Sequence, residues 1–310
     1  MLAMVGAGRT PLERDWGKLV AERFTDRPLP HAANWRDDNC RAKLAGRSPE
    51  TDDAAMLTDA IILFAAGVLA GGMNAIAGGG SFISFPAMVF VGLPSVVANA
   101  SSTVALVPGT LTSAGTYMTG TNPMGFRDLG GVRFPILLAS SVAGGLLGAL
   151  LLLATPVATF DGVIPWLLLV ATITFAFGRD FGAWLRARIR LGPVALLPVQ
   201  FILGIYGGYF GGAVGIMMLA AWSLLDGADL KQLNPTRTII VSAMNGIAVV
   251  CFIHAGQVWW PQTVALLAGG VAGGYLGARA GQALPALAVR RIIIAVTVAM
   301  TLIFFKRAYL

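Results

Sequence analysis

The chain has 310 residues, 56% of them hydrophobic and 12% charged, with a formal net charge of +7 and a mean hydropathy of +0.74. An ordinary soluble domain carries about 25% charged residues, so a soluble enzyme is excluded and the composition is that of a polytopic helical membrane protein. Cys40 and Cys251 are the only cysteines, which excludes a disulfide scaffold.

Residues 1–55 stand apart. They hold 9 Lys+Arg and 9 Asp+Glu, leaving 13 basic and 6 acidic residues for the rest of the chain. They contain no apolar run that could form a signal-peptide core, and Arg27-Pro28 and Arg36-Asp37-Asp38 argue for a flexible soluble tail. Met56 opens a segment that reads like a natural start.

Ten apolar stretches follow: Leu57 to Ile76, Phe82 to Leu93, Val96 to Met118, Phe134 to Ala154, Val163 to Gly178, Val194 to Gly211, Val214 to Leu225, Thr236 to Ile253, Pro261 to Ala278 and Ile292 to Phe305. The second and seventh have only 12 residues, against the roughly 20 needed to cross a bilayer, and read as half-helices. If each half-helix joins the longer stretch before it in one broken crossing, the chain makes eight spans with both ends cytoplasmic. Arg127, Arg133, Arg179, Arg186, Arg188, Arg190, Lys306 and Arg307 then lie inside, as short cytoplasmic loops require, while Lys231, Arg237, Arg279, Arg290 and Arg291 disagree. The expected fold is all-α, with about eight transmembrane helices in two homologous halves, 56–190 and 191–310.

The halves repeat each other. A shift of 135 residues lays Gly72 on Gly207, Gly80 on Gly215, Gly92 on Gly227, Asn99 on Asn234, Ser101 on Thr236 and Thr103 on Thr238. A shift of 129 lays Val142 to Ala149 on Val271 to Ala278 with one mismatch. Duplicated halves with glycine-interrupted short helices at corresponding positions point to a secondary transporter whose substrate sits where the broken helices meet. Whether the repeats are parallel or inverted depends on the number of spans per half, which the half-helices leave open.

The first break is Gly71 to Phe82, containing Asn74, Gly78, Gly79, Gly80 and Ser81; the second is Tyr206 to Gly215, containing Tyr209, Gly212, Ala213 and Gly215. Unwound glycine backbone at membrane depth needs a cavity, and a half-helix starting near Ser81 offers N–H groups and a positive dipole end to an anion. Close helix packing through small residues is the competing reading, and the preferred one for Gly144-Gly145 and Gly269-Gly270. Asn99, Ser101, Ser102 and Thr103, with Asn234, Thr236, Arg237 and Thr238 opposite them in the repeat, open long helices after the half-helices. They cap those helices, bind substrate, or do both. Arg237 either binds an anion or pairs with Asp226 or Asp229. His254 reads as an interfacial residue or a proton relay.

Walker A and His-Glu-x-x-His motifs are absent, as is any closely spaced Cys/His cluster, so neither nucleotide hydrolysis nor a metal centre is supported and no cofactor is expected. Basic residues sit in loops without interleaved aromatics, which speaks against nucleic acid. Several tryptophans among Trp166, Trp184, Trp222, Trp259 and Trp260 fall at span ends, as in an interfacial belt.

The run Gly71 to Phe82 with Pro86 and Gly92-Leu93-Pro94, then Ala98 to Thr103, and the degenerate copy Gly207 to Gly215 with Thr236 to Thr238, resembles the sulfite exporter family also called TauE/SafE. The resemblance covers about residues 57 to 305, and Ser81 closes the glycine run earlier than is usual in that family. It implies a bacterial inner-membrane permease that exports small sulfur anions such as sulfite, sulfoacetate or other organosulfonates. The alternatives are uptake of thiosulfate or another small anion and, from a different class, an intramembrane enzyme. Protons are the candidate coupling ion, and no carboxylate stands out as their carrier.

Overall fold

The computed structural model describes residues 49–76, 79–119, 128–186, 193–225, 233–280 and 286–309. These form ten helices: α1 (Pro49–Ile76), α2 (Ser81–Phe90), α3 (Ser95–Thr119), α4 (Phe134–Ala154), α5 (Val157–Arg186), α6 (Pro193–Tyr209), α7 (Val214–Trp222), α8 (Asn234–His254), α9 (Trp260–Ala280) and α10 (Ala286–Tyr309). Helix α1 starts inside the stretch read as a tail; residues 1–48 lie outside the described part. Four segments are long and apolar enough on their own to cross a membrane: Met56–Asn74, Phe134–Ala154, Val157–Thr174 and Thr236–His254. Helices α2 and α7, with 10 and 9 residues, rise only about 15 Å at 1.5 Å per residue.

Local chemistry sets the ends of these helices. Gly92 at φ +98° closes α2 in a Schellman motif, with Leu93 N donating to Met88 O and Gly92 N to Val89 O. Gly256 does the same for α8. Thr155-Pro156 separates α4 from α5, since the residue before a proline resists helical geometry.

The directions of the helices follow from which residues meet. On α1 and α9, the Phe64 and Val68 carbonyls face Gly269 and Gly273, so the numbers rise together and the helices run parallel. On α4 and α6, Ser141 meets Gly204 and Gly148 meets Ile205, again parallel. Helices α5 and α10 instead run antiparallel: Thr172 meets Thr301, Trp166 meets Phe305 and Tyr309, and Gly162 meets Tyr309. In both halves, the first helix of one packs along the fourth of the other (α1 with α9, α6 with α4), and the fifth helices pack on each other. Antiparallel fifth helices mean that the repeats are inverted about an axis lying in the membrane plane.

The single broken crossing expected from the sequence is corrected. A Cβ placed on Gly80 would lie 2.5 Å from the Ala70 carbonyl oxygen and 3.2 Å from Asn74 Cβ, so the chain doubles back and α2 lies beside α1 rather than continuing it. A glycine run permits either path, and packing selects this one. Eight long helices and two re-entrant short ones result. Their directions put the first and last described residues, Pro49 and Tyr309, on one face, with Arg133, Arg186 and Arg290 on the other.

Packing is tightest where glycines let backbones touch. Added Cβ atoms at Gly71, Gly269 and Gly273 would fall 2.1, 2.0 and 1.9 Å from carbonyl oxygens across the α1–α9 seam; those at Gly148 and Gly208 would fall 2.1 and 2.0 Å from carbonyls across α4–α6. This is the close packing expected for Gly144-Gly145 and Gly269-Gly270. Large apolar side chains such as Leu57, Ile61, Ile136, Val170, Ile202, Val264 and Leu302 point outward, as a lipid-facing surface requires.

Candidate functional site

The two half-helices begin at residues of different backbone conformation, Gly80 right-handed at φ −53°, ψ −25° and Ala213 left-handed at φ +58°, ψ +7°, and each carbonyl accepts the first helical bonds. Gly80 O accepts from Ile83 N and Ser84 N, and Ala213 O accepts from Ile216 N and Met217 N. Gly80 therefore corresponds to Ala213, and Phe82 to Gly215; within the break the repeat offset is 133, two less than the glycine matching in the sequence. Neither start is capped by a side chain. Ala213 takes φ +58°, a left-handed conformation uncommon for a residue with a Cβ, and Gly79 takes φ +102°.

The occupant of each turn differs as well. At α7, Gly215 leaves a gap in which the Arg237 guanidinium lies, its Cδ 3.5 Å and its Nη1 3.6 Å from where a Cβ would be. Arg237 sits in the first turns of α8, its backbone N bonded to Leu233 O. Beside it Thr236 is fully buried, and its hydroxyl has no hydrogen-bond partner among the described residues. At α2 the corresponding gap is filled by Phe82, which is fully buried. Ser102, opposite Arg237 in the repeat, is 2.6 Å from Ser84, hydroxyl to hydroxyl. One half thus presents a cation to a half-helix N-terminus, and the other an aromatic plug and a closed serine pair.

The remaining predicted residues divide by partner. Asn99 lies in the second turn of α3 and does not cap it: its Nδ2 donates to the Tyr209 carbonyl, at the broken end of α6 in the other half, at 3.0 Å. Tyr209 turns its ring edge-on to Phe160 and its hydroxyl to Thr155. Thr103 bonds back to Asn99 O. Ser101 accepts from Trp259 N at the start of α9 and faces away from either break. Asn74 lies against Gly80, Ser81 opens α2, Gly212 packs on the Phe210 ring, and Thr238 is half-buried on α8. Gly78 lies outside the described residues, as does the side chain of Asn234, which opens α8. Among the described residues no three His, Cys, Asp or Glu side chains gather as a metal site.

The structure adds groups that the sequence reading passed over. Gln200, fully buried on α6, donates from Nε2 to Ser141 on α4 and accepts at Oε1 from Trp222 Nε1 on α7. Trp222 is thereby an anchor of the half-helix in the core, a correction to its place in an interfacial belt; Trp166 and Trp260 are exposed as a belt requires. Phe85 of α2 meets Phe210 edge to face at 5.8 Å and stacks on Phe304 of α10, so aromatic rings separate the two breaks. A glutamine inside the Val194 to Gly211 stretch was a visible signal, because polar side chains at depth need partners.

Residues 63–304 match the family described as sulfite exporter TauE/SafE. The chain belongs to this family. It is 31% identical over 219 residues to a "Probable membrane transporter protein" of Haemophilus influenzae, covering 70% of this chain and 83% of that one. It is 26% identical over 245 residues to "Probable membrane transporter protein ORF9" of a Sinorhizobium species, covering 77% and 90%. It is 26% identical over 218 residues to "Probable membrane transporter protein YfcA" of Escherichia coli, covering 70% and 79%. No solved structure matches. The protein is a multi-pass membrane protein of a transporter family.

Proposed function

We propose that this protein is a secondary transporter that moves a small sulfur anion, sulfite or an organosulfonate such as sulfoacetate, across the bacterial cytoplasmic membrane. Residues 56–190 and 191–310 act as the two halves that rock about the bound anion. The observation that carries the reading is the Arg237 guanidinium lying over Gly215 in the first turn of α7. A cation and a half-helix N-terminus meet there, and the neighbouring Thr236 hydroxyl is buried without a partner among the described residues, groups that suit an oxyanion at membrane depth. Thr238 and Asn234, on the same helix as Arg237, and the backbone at Gly212 and Ala213, which leads into α7, are assigned to this side from the sequence. In the first half the sequence assigns Asn74, Gly79, Gly80, Ser81, Asn99, Ser102 and Thr103 to the same role, and Gly78 lies outside the described residues.

The basic loops belong in the cytoplasm. With α2 and α7 folded back, the face of Arg133, Arg186 and Arg290 becomes the cytoplasmic one and both chain ends lie outside, the reverse of the orientation drawn from broken crossings. The family's name supports a sulfur anion, and few acid/base groups at depth argue against catalysis.

Binding of radiolabelled sulfite to the detergent-purified protein tests the reading. Arg237→Gln should weaken it about tenfold or more, since a hydrogen bond to a charged group contributes about 1.5–3 kcal/mol. Equal binding by wild type and variant would overturn the assignment of Arg237.

A further inference from the structure

Asp161, in the second turn of α5, is a carboxylate held inside the fold without a closed pairing. Its Oδ2 is sequestered and has no close hydrogen-bond partner among the described residues, and the Ser95 hydroxyl at the start of α3 faces the carboxylate as its nearest donor. The cation acting on it is Arg307 of α10, at a distance that forms no direct bridge. Tyr309, also on α10, gives its hydroxyl to the Gly162 carbonyl, and Lys306 points outward. Helices α3 and α7, both packed against α5, offer no charged side chain to it among the described residues, and α6 offers Tyr209 through Phe160. An ionised carboxylate in such a place is costly, and a protonated one has a donor for which Ser95 is the natural acceptor.

The surroundings connect this group to the break. Ser95 and Asn99 lie one turn apart on α3, and Asn99 holds the Tyr209 carbonyl where α6 ends. Phe160, beside Asp161, packs edge-on against the Tyr209 ring at 5.5 Å. Both routes from Asp161 therefore end on Tyr209, whose chain continues through Gly212 and Ala213 into the start of α7. Protonation of Asp161 removes its charge, lets its O–H donate to Ser95, and so changes the fit of α3 and α5 against the broken end of α6.

We propose that Asp161 is the proton-coupling carboxylate of the transporter: it takes up a proton from the face that carries the chain ends and, once the halves have rocked, releases it to the opposite face, and its protonation state sets the position of the α6–α7 break. The proposal rests on the anion-transport reading, and it assigns Asp161 to coupling and not to anion contact.

The test uses the full chain in proteoliposomes with radiolabelled sulfite, measuring both sulfite/sulfite exchange at equal pH and accumulation against a gradient under an imposed pH difference. A one-unit pH gradient supports about tenfold accumulation per coupled proton. Wild type should show both activities. Asp161→Asn should keep exchange and lose the pH-driven accumulation, and Asp161→Glu should restore it. Full pH-driven accumulation by Asp161→Asn overturns the proposal, as does loss of exchange together with accumulation in a variant that melts like wild type. Infrared titration of the purified protein supplies a readout independent of transport: the wild-type minus Asp161→Asn difference spectrum should contain one titrating carbonyl stretch of a protonated carboxylic acid. If wild type moves no sulfite, the anion reading fails, and the infrared band alone decides Asp161: its titration in the difference spectrum supports the assignment, its absence from that spectrum overturns it.

Discussion

The hydroxyls of Thr172 and Thr301 lie 3.1 Å apart, buried between α5 and α10. The antiparallel crossing of these two fifth helices places the axis relating the halves near this pair. On either side of that point the partners diverge in opposite directions, which makes the axis perpendicular to both helices. In a background with Cys40→Ser and Cys251→Ser, Gly162→Cys with Tyr309→Cys should be joined by a short thiol cross-linker. Arg179→Cys with Ala308→Cys, seven residues beyond the axis pair on both helices and adjacent only if the helices were parallel, should not.

Neighbouring glycines on α9 should differ sharply. A Cβ on Gly273 would lie 1.9 Å from the Val68 carbonyl, whereas one on Gly274 meets nothing within 4 Å. Gly273→Ala must push α1 and α9 apart, at about 1–3 kcal/mol, while Gly274→Ala should change stability by less than about 0.5 kcal/mol. Thermal melting in detergent distinguishes them.

The charge bias predicts an orientation that can be read in cells. A reporter active only outside the cytoplasm, fused after Leu310, should be active, and one fused in the 187–192 connection should be silent. The opposite pattern would restore cytoplasmic ends and would mean that the charge bias does not govern this chain.

Gly215 is predicted to tolerate one carbon and no more. A Cβ there stands at ordinary contact distance, 3.5–3.7 Å, from the Arg237 side chain, but the branched end of a leucine would take the guanidinium's place. Sulfite flux should be nearly unchanged in Gly215→Ala and reduced about tenfold or more in Gly215→Leu, the scale of one lost charged hydrogen bond. Because the leucine lies at a gap and not on a backbone contact, insertion and melting temperature should hold.

Much of the helical plan was legible from apolar run length and glycine position: the starts of α2 and α7 at Ser81 and Val214 lie at or within one residue of the expected limits. Direction was not, because Gly78 to Gly80 can extend or reverse a chain equally well, and only the contact of Gly80 with Ala70 distinguishes the two. Register inside the break was misread by two residues because glycine matches glycine wherever it falls. Asn99 looked like a local cap, since its partner, the Tyr209 carbonyl, is 110 residues away. No carboxylate stood out as a proton carrier, because the sequestered oxygen of Asp161 comes from α3 and α10 packing against α5, which no local pattern encodes. The asymmetry between Phe82 and Gly215 was in the sequence and was hidden by the wrong offset.

Flux of radiolabelled sulfite into proteoliposomes containing the full chain, compared with liposomes containing Arg237→Gln, tests the central claim most directly. Saturable flux in wild type that falls about tenfold or more in the variant is the predicted result, on the scale of one charged contact to the anion. Wild-type flux no greater than that of empty liposomes, or flux indifferent to Arg237, would contradict a sulfur-anion site at the start of α7.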